Sequence, residues 1–103
     1  MYVWNHNSPE TWKFKGPPLK KDEWIFLACV VDYDQATLYT STASGKLKTR
    51  VNKIPHQSQT LRNLRFGRHD SQKTWRLIGL MDDIRIYNYA LTRDQIETIR
   101  QER

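Results

Sequence analysis

The run from Glu23 to Val31 limits the fold more than any other stretch of this chain. In an extended backbone successive side chains point to opposite faces. That places Trp24, Phe26, Ala28 and Val30 on one side and Ile25, Leu27, Cys29 and Val31 on the other. Both faces are apolar. A strand of this kind needs cover on two sides, so it lies centrally in a sandwich or on a subunit interface.

With 103 residues the chain has room for one domain and one core. At 12% aromatic residues it is too apolar and aromatic for a disordered tail. Seventeen Lys and Arg against eleven Asp and Glu leave a formal charge of +6, which favours anionic partners. The single Cys excludes an internal disulfide, and no Cys or His spacing suits zinc. Cys29 is therefore expected to be a small core residue. No stretch approaches a membrane span, and the N-terminus has no basic start followed by a long apolar run. The expectation is a soluble chain with no membrane partner, and no residue names a compartment.

Apolar residues alternate between frequent turn signals, so the chain reads as mostly β. Tyr2 to Trp4 and Trp12 to Phe14 are short strand candidates on either side of Asn5-His6-Asn7-Ser8-Pro9, the second followed by Gly16-Pro17-Pro18. After Val31, the turn Asp32-Tyr33-Asp34-Gln35 leads into a strand from Ala36 to Thr42, and a turn through Gly45 leads into a polar, exposed strand from Leu47 to Ile54. Leu64 to Phe66, closed by Gly67, and Ile78 to Tyr87 are the remaining strands. Trp24 is expected in the core.

Only the C-terminus reads as helical. Thr92 and Gln95 have the spacing of a capping box, and Leu91 and Ile96 that of a hydrophobic staple. Asp94 near the start and Arg100 and Arg103 near the end suit the helix dipole. Ile96 and Ile99 form a narrow apolar edge, which predicts a cover for a sheet margin and not a core element.

Four segments in order resemble the laminin G-like, concanavalin A-like jelly-roll superfamily, which includes the pentraxins. They are the Trp-led strand from Glu23 to Asp32, the Leu-Tyr strand Ala36-Thr37-Leu38-Tyr39, the Gly-closed Leu64-Arg65-Phe66-Gly67, and the closing stretch from Gly79 to Ile96. In the last, a Gly, the acidic pair Asp82-Asp83 and an aromatic strand lead through Ala90-Leu91 to a short helix. The loop Thr40 to Gly45 is longer than the family's usual tight turn. The resemblance implies an all-β fold over residues 1–103: a single laminin G-like domain, an antiparallel jelly-roll-like β-sandwich with one short C-terminal helix. It also implies a domain truncated at its N-terminus, whose uncovered edges are expected to be covered by a second copy of the chain, a partner protein carrying the missing half or a reorganised smaller sandwich, with a homodimer the preferred reading. The family is commonly extracellular.

Glycoside hydrolysis needs two carboxylates facing one cleft. Asp82 and Asp83 are adjacent on a predicted strand and point to opposite faces, and Asp32 and Asp34 sit in a turn, so all four read as structural. No nucleophile elbow is present, and a thiol inside an apolar strand is a poor nucleophile. His6, His56 and His69 are scattered among polar residues and read as surface histidines. The chain is expected not to be an enzyme.

Three binding readings remain. Alternation puts Asp82 inward with Ile84 and Ile86, where a carboxylate needs a partner: backbone amides, an Arg, or calcium. The resemblance raises the calcium reading, although calcium wants six or more oxygens. Asp83, Arg85 and Tyr87 point outward together and, with Trp12 and Trp75 as stacking rings, form the candidate ligand-binding set of a lectin-like module for carbohydrate or another extended polar ligand. Arg62, Arg65, Arg68, Lys73 and Arg76 form the one concentration of charge, either a patch for a polyanion such as a sulfated glycan or nucleic acid, or a solvated edge that resists pairing. Beside these stands the reading of an interaction protein that associates with itself or a partner and takes no small ligand.

Overall fold

A computed structural model describes residues 16–55, 64–68 and 73–102. Within them the chain forms an antiparallel three-stranded sheet, β1 (Ile25–Val31), β2 (Ala36–Thr42) and β3 (Lys48–Asn52), and one helix, α1 (Arg93–Gln101). The order in the sheet is β1-β2-β3. The mostly-sheet class with a short C-terminal helix is the one the sequence implies.

Both hairpins form where turn chemistry places them. The Asp32 N–H donates to the Gln35 carbonyl at 2.8 Å, and the Asp32 carboxylate accepts from the Tyr33 N–H at 2.7 Å, so the aspartate fixes its own turn. The longer second loop closes through the Gly45 N–H to the Thr42 carbonyl at 3.3 Å. A Cβ on Gly45 would fall 2.5 Å from the Thr42 hydroxyl oxygen, so a side chain there would force the Thr42 side chain to move. The register pairs Ala28 with Tyr39 and Cys29 with Leu38, and on the other side Leu38 with Arg50. Strand β2 lies between its neighbours and is buried from Ala36 to Ser41.

One face of the sheet receives the helix. Tyr39, Leu47 and Ile96 form a buried cluster, against which Phe26, Ala28, Val30 and Leu91 pack. The capping box is made in full: the Thr92 hydroxyl accepts from the Gln95 N–H at 3.2 Å, and the Gln95 side chain accepts from the Thr92 N–H at 2.9 Å. Arg93 donates to the Leu47 carbonyl and Arg100 to the Gly45 carbonyl, each at 3.3 Å, which clamps α1 onto the second hairpin. The helix is more than a marginal cover. Ile96 is only 2% exposed and sits in the core cluster, because the staple with Leu91 turns the first helical turn onto Tyr39.

Several expectations change. Trp24 is 58% exposed. It precedes the last paired position, Ile25 opposite Thr42, and so runs past the end of the ladder. On the face away from α1, Leu27, Cys29 and Val31 are exposed, so Cys29 is not a core residue. The predicted strands Leu64 to Phe66 and Ile78 to Tyr87 form no ladder, and among the described residues the one isolated bridge nearby joins Arg68 to Arg76, outside both stretches. Asp83 interrupts the second of them with φ of 52°, the left-handed region an L-residue enters at a cost. The strand candidates Tyr2 to Trp4 and Trp12 to Phe14 lie outside the described residues.

Candidate functional site

The left-handed turn at Asp83 removes the basis for a simple in-and-out alternation along residues 78–87. The Asp82 carboxylate accepts from the Asp83 N–H at 2.8 Å, a short local loop, and Asp82 is exposed. Its expected inward position is therefore not observed, and Ile84 and Ile86 are exposed as well. Among the described residues no three His, Cys, Asp or Glu side chains gather to hold a metal ion. One exposed carboxylate, already engaged locally, does not meet the oxygen count of calcium.

The same turn brings Asp83 and Arg85 together. The Arg85 Nε donates to one Asp83 carboxylate oxygen at 2.9 Å and Nη2 to the other at 3.1 Å, a bidentate pair. Nη1 donates to Glu102 at 2.8 Å, beyond the end of α1. Hydrogen bonds to Asp83, Glu102 and Tyr87 raise the guanidinium's pKa well above its ordinary value. The Tyr87 ring meets Tyr89 edge-on, centroids 6.0 Å apart. Asp83, Arg85 and Tyr87 thus do converge, but as a tie between residues 83–89 and the helix. The guanidinium has its donors committed to protein carboxylates.

The basic segment is organised differently. Arg68 faces Arg76 across an antiparallel bridge, and next to it the Leu77 N–H donates to the Gly67 carbonyl at 2.6 Å. Residues paired in this way project their side chains to one face. Gly67 makes the approach feasible: its φ is 73°, and a Cβ would lie 2.8 Å from the Met81 methyl and 3.5 Å from the Leu77 Cβ. Like charges directly opposite one another are unfavourable. Among the described residues, no carboxylate forms an ion pair with Arg68 or Arg76. Arg65 and Lys73 are exposed nearby in sequence. Trp75 is 59% exposed. Arg62, Trp12 and the three histidines lie outside the described residues.

Sequence reasoning missed the Arg85 to Glu102 tie and the exposure of Trp24. The first had a signal: aspartate is depleted in strands and tolerates the left-handed region, so an Asp-Asp pair inside a strand pattern points to a turn. Trp24 had none, since an apolar residue at a strand end reads the same whether or not the ladder reaches it.

Cys29 carries a separate expectation. Although the residue as a whole is exposed, partial burial of the thiol pushes its pKa up. Only the thiolate is nucleophilic. At pH 8 Cys29 should therefore alkylate with iodoacetamide several-fold more slowly than the Cys of an unstructured peptide. Equal rates would contradict the desolvated setting.

The model of the concanavalin A-like lectin/glucanase superfamily matches residues 1–97, from the N-terminus into α1. No curated protein and no solved structure matches the chain significantly. The match spans both hairpins of the sheet, the bridged arginines, the Asp82-Asp83 turn and the capping box that starts the helix. The chain belongs to the concanavalin A-like lectin/glucanase superfamily.

Proposed function

We propose that the protein is a non-enzymatic, lectin-like module that binds an acidic glycan, sulfated or uronic, through the basic surface around Arg68 and Arg76. One observation carries this reading. Arg68 and Arg76 are partners in a backbone bridge, both are exposed, and among the described residues neither pairs with a carboxylate, so one anionic ligand can offset both charges. The formal charge of +6 adds long-range attraction for the same ligand. The superfamily includes glucanases, but the carboxylates here favour binding: Asp83 is committed to Arg85, and the Asp82 carboxylate to the Asp83 amide. Neither pairs with another acid across a cleft, as glycoside hydrolysis requires.

The test is a calorimetric titration with a heparin hexasaccharide, its desulfated counterpart and a short DNA duplex. Preferred binding of the sulfated hexasaccharide is expected. Equal or tighter binding of DNA would assign the patch to nucleic acid, and binding of none would remove the reading.

A second reading, self-association, has its own observation. Leu27 and Val31 on the sheet face away from α1, and Leu77, Ile78 and Leu80 beyond the bridge, are exposed apolar side chains. A second copy would cover them. Light scattering on a size-exclusion column should then give twice the chain's 12.3 kDa across a tenfold concentration range, whereas a constant monomer mass would exclude it.

A further inference from the structure

β1 ends the three-stranded sheet on one side, and we infer, building on the self-association reading, that its outer edge pairs antiparallel with the same edge of a second copy to make one sheet of six strands. Among the described residues β2 is the only strand beside β1. The Asp32 N–H is turned toward β2, where it donates to the Gln35 carbonyl. Backbone groups alternate in direction along a strand. The N–H and C=O of Val30, Ala28 and Phe26 therefore point to β2 as well, and those of Ile25, Leu27, Cys29 and Val31 point outward. Among the described residues nothing bonds to these outward groups.

Three observations select a second copy as the occupant. First, proteins protect an open edge with charge, proline, a bulge or short length. β1 has none of these: Ile25–Val31 is seven residues of unbroken apolar sequence in continuous register with β2. The other edge of the sheet, β3, is protected, being five residues long with Lys48 and Arg50 exposed on it. Two β3 edges would set like charges against each other. Pairing through β1 thus closes at two copies and does not propagate into a filament. Second, β1 fits itself. An antiparallel pairing centred on Ala28 sets Ile25 beside the partner's Val31 and Leu27 beside the partner's Cys29. Every outward N–H and C=O is then bonded, and no other centre achieves this for all of them. Cross-strand neighbours are apolar on both faces, since Phe26 meets the partner's Val30 on the face that carries α1, and the small Ala28 meets its own copy at the two-fold axis. Third, a formal charge of +6 opposes the approach of two copies, which favours contact at an uncharged edge. The exposed Leu27 and Val31 of both copies then form one apolar strip across the joint sheet.

Analytical ultracentrifugation of the full chain measures the dimer, and hydrogen exchange in ¹⁵N spectra locates the contact. The amides of Leu27, Cys29 and Val31 should exchange several-fold more slowly where the dimer dominates than where the chain is diluted to monomer. Phe26, Ala28 and Val30, bonded to β2 in both states, are the reference. Leu27→Lys places a charge on each side of the two-fold axis and should weaken the dimer about tenfold or more. Leu27 is about half exposed, so the monomer should keep its circular dichroism spectrum. Leu27→Thr keeps strand propensity, guards against a variant that fails to fold, and should weaken the dimer less. Leu80→Lys, at an exposed apolar residue away from the strand, should also weaken it less than Leu27→Lys. A dimer that withstands Leu27→Lys, yields to Leu80→Lys and leaves the outward β1 amides unprotected would overturn the edge pairing while self-association stands. A monomer at every concentration would overturn both, and protected β1 amides in that monomer would assign the edge to another segment of the chain.

Discussion

Leu38→Ala should lower the free energy of unfolding by about 2–5 kcal/mol, the range for truncating a fully buried leucine. Leu38 is 0% exposed and stands in the central strand, with Cys29 and Arg50 as its register partners on either side. Leu38 shares the sheet face of Cys29, opposite the Tyr39, Leu47 and Ile96 cluster, so those side chains cannot move in to fill the space. A domain of this size is stable by only about 5–15 kcal/mol, and the variant would stand near the edge of folding. Leu38→Met, which conserves volume, should cost less than about 1.5 kcal/mol. Leu27→Ala, at an exposed position of β1 on the same face, should cost well under the Leu38 value. Urea unfolding followed by circular dichroism measures all three. A loss below about 1 kcal/mol for Leu38→Ala would mean that the sheet is not assembled around β2 as described.

The double variant Arg68→Ala with Arg76→Ala should bind a heparin hexasaccharide roughly 10- to 100-fold more weakly. Hydrogen bonds to charged groups contribute about 1.5–3 kcal/mol each when partly desolvated, and exposure at this surface argues for the lower end. The fold should not suffer. Removing two like charges held opposite each other should leave the melting temperature unchanged or slightly raised, since such pairs are unfavourable without a ligand. Lys at both positions keeps the charge but loses the fork of donors that grips sulfate or carboxylate in two places, so its affinity should fall between the two. The combination of weaker binding with intact stability separates a binding role from a structural one. If the double variant were destabilised by more than about 1 kcal/mol, the arginines would be part of the packing.

The parts of this molecule legible in its sequence are those governed by local chemistry. Thr92 and Gln95 wrote the helix start because a capping box is complete within four residues, and Asp32 wrote the first turn because its carboxylate reaches the next amide. The strand from Ala36 to Thr42 was equally clear, as was the alternation that puts Phe26, Ala28 and Val30 on the packed face. What depended on distant partners was not legible. Ile96 looked marginal because two isoleucines make a narrow stripe, yet burial depends on what Tyr39 and Leu47 offer to that stripe. The predicted strand from Ile78 to Tyr87 had a good apolar pattern, but a ladder needs a neighbour, and Asp83 turns left-handed in its middle. At the candidate sites the same division holds. The charge concentration is visible, whereas the bridge between Arg68 and Arg76 is not, because it depends on how the chain between them folds back. Trp24 was misplaced in the core by a rule that holds along a paired strand and stops where pairing stops.

The central claim is that Arg68 and Arg76 together hold an anionic ligand, and the dependence of heparin affinity on salt tests it most directly. Each phosphate-like or sulfate contact made by a cation releases counterions, so the logarithm of the binding constant falls linearly with the logarithm of salt concentration. The slope for the wild-type chain should exceed in magnitude that of the Arg68→Ala, Arg76→Ala variant by about 2, near one for each lost contact. Equal slopes for the two proteins, with equal affinities, would place the anion elsewhere on the surface and contradict the account.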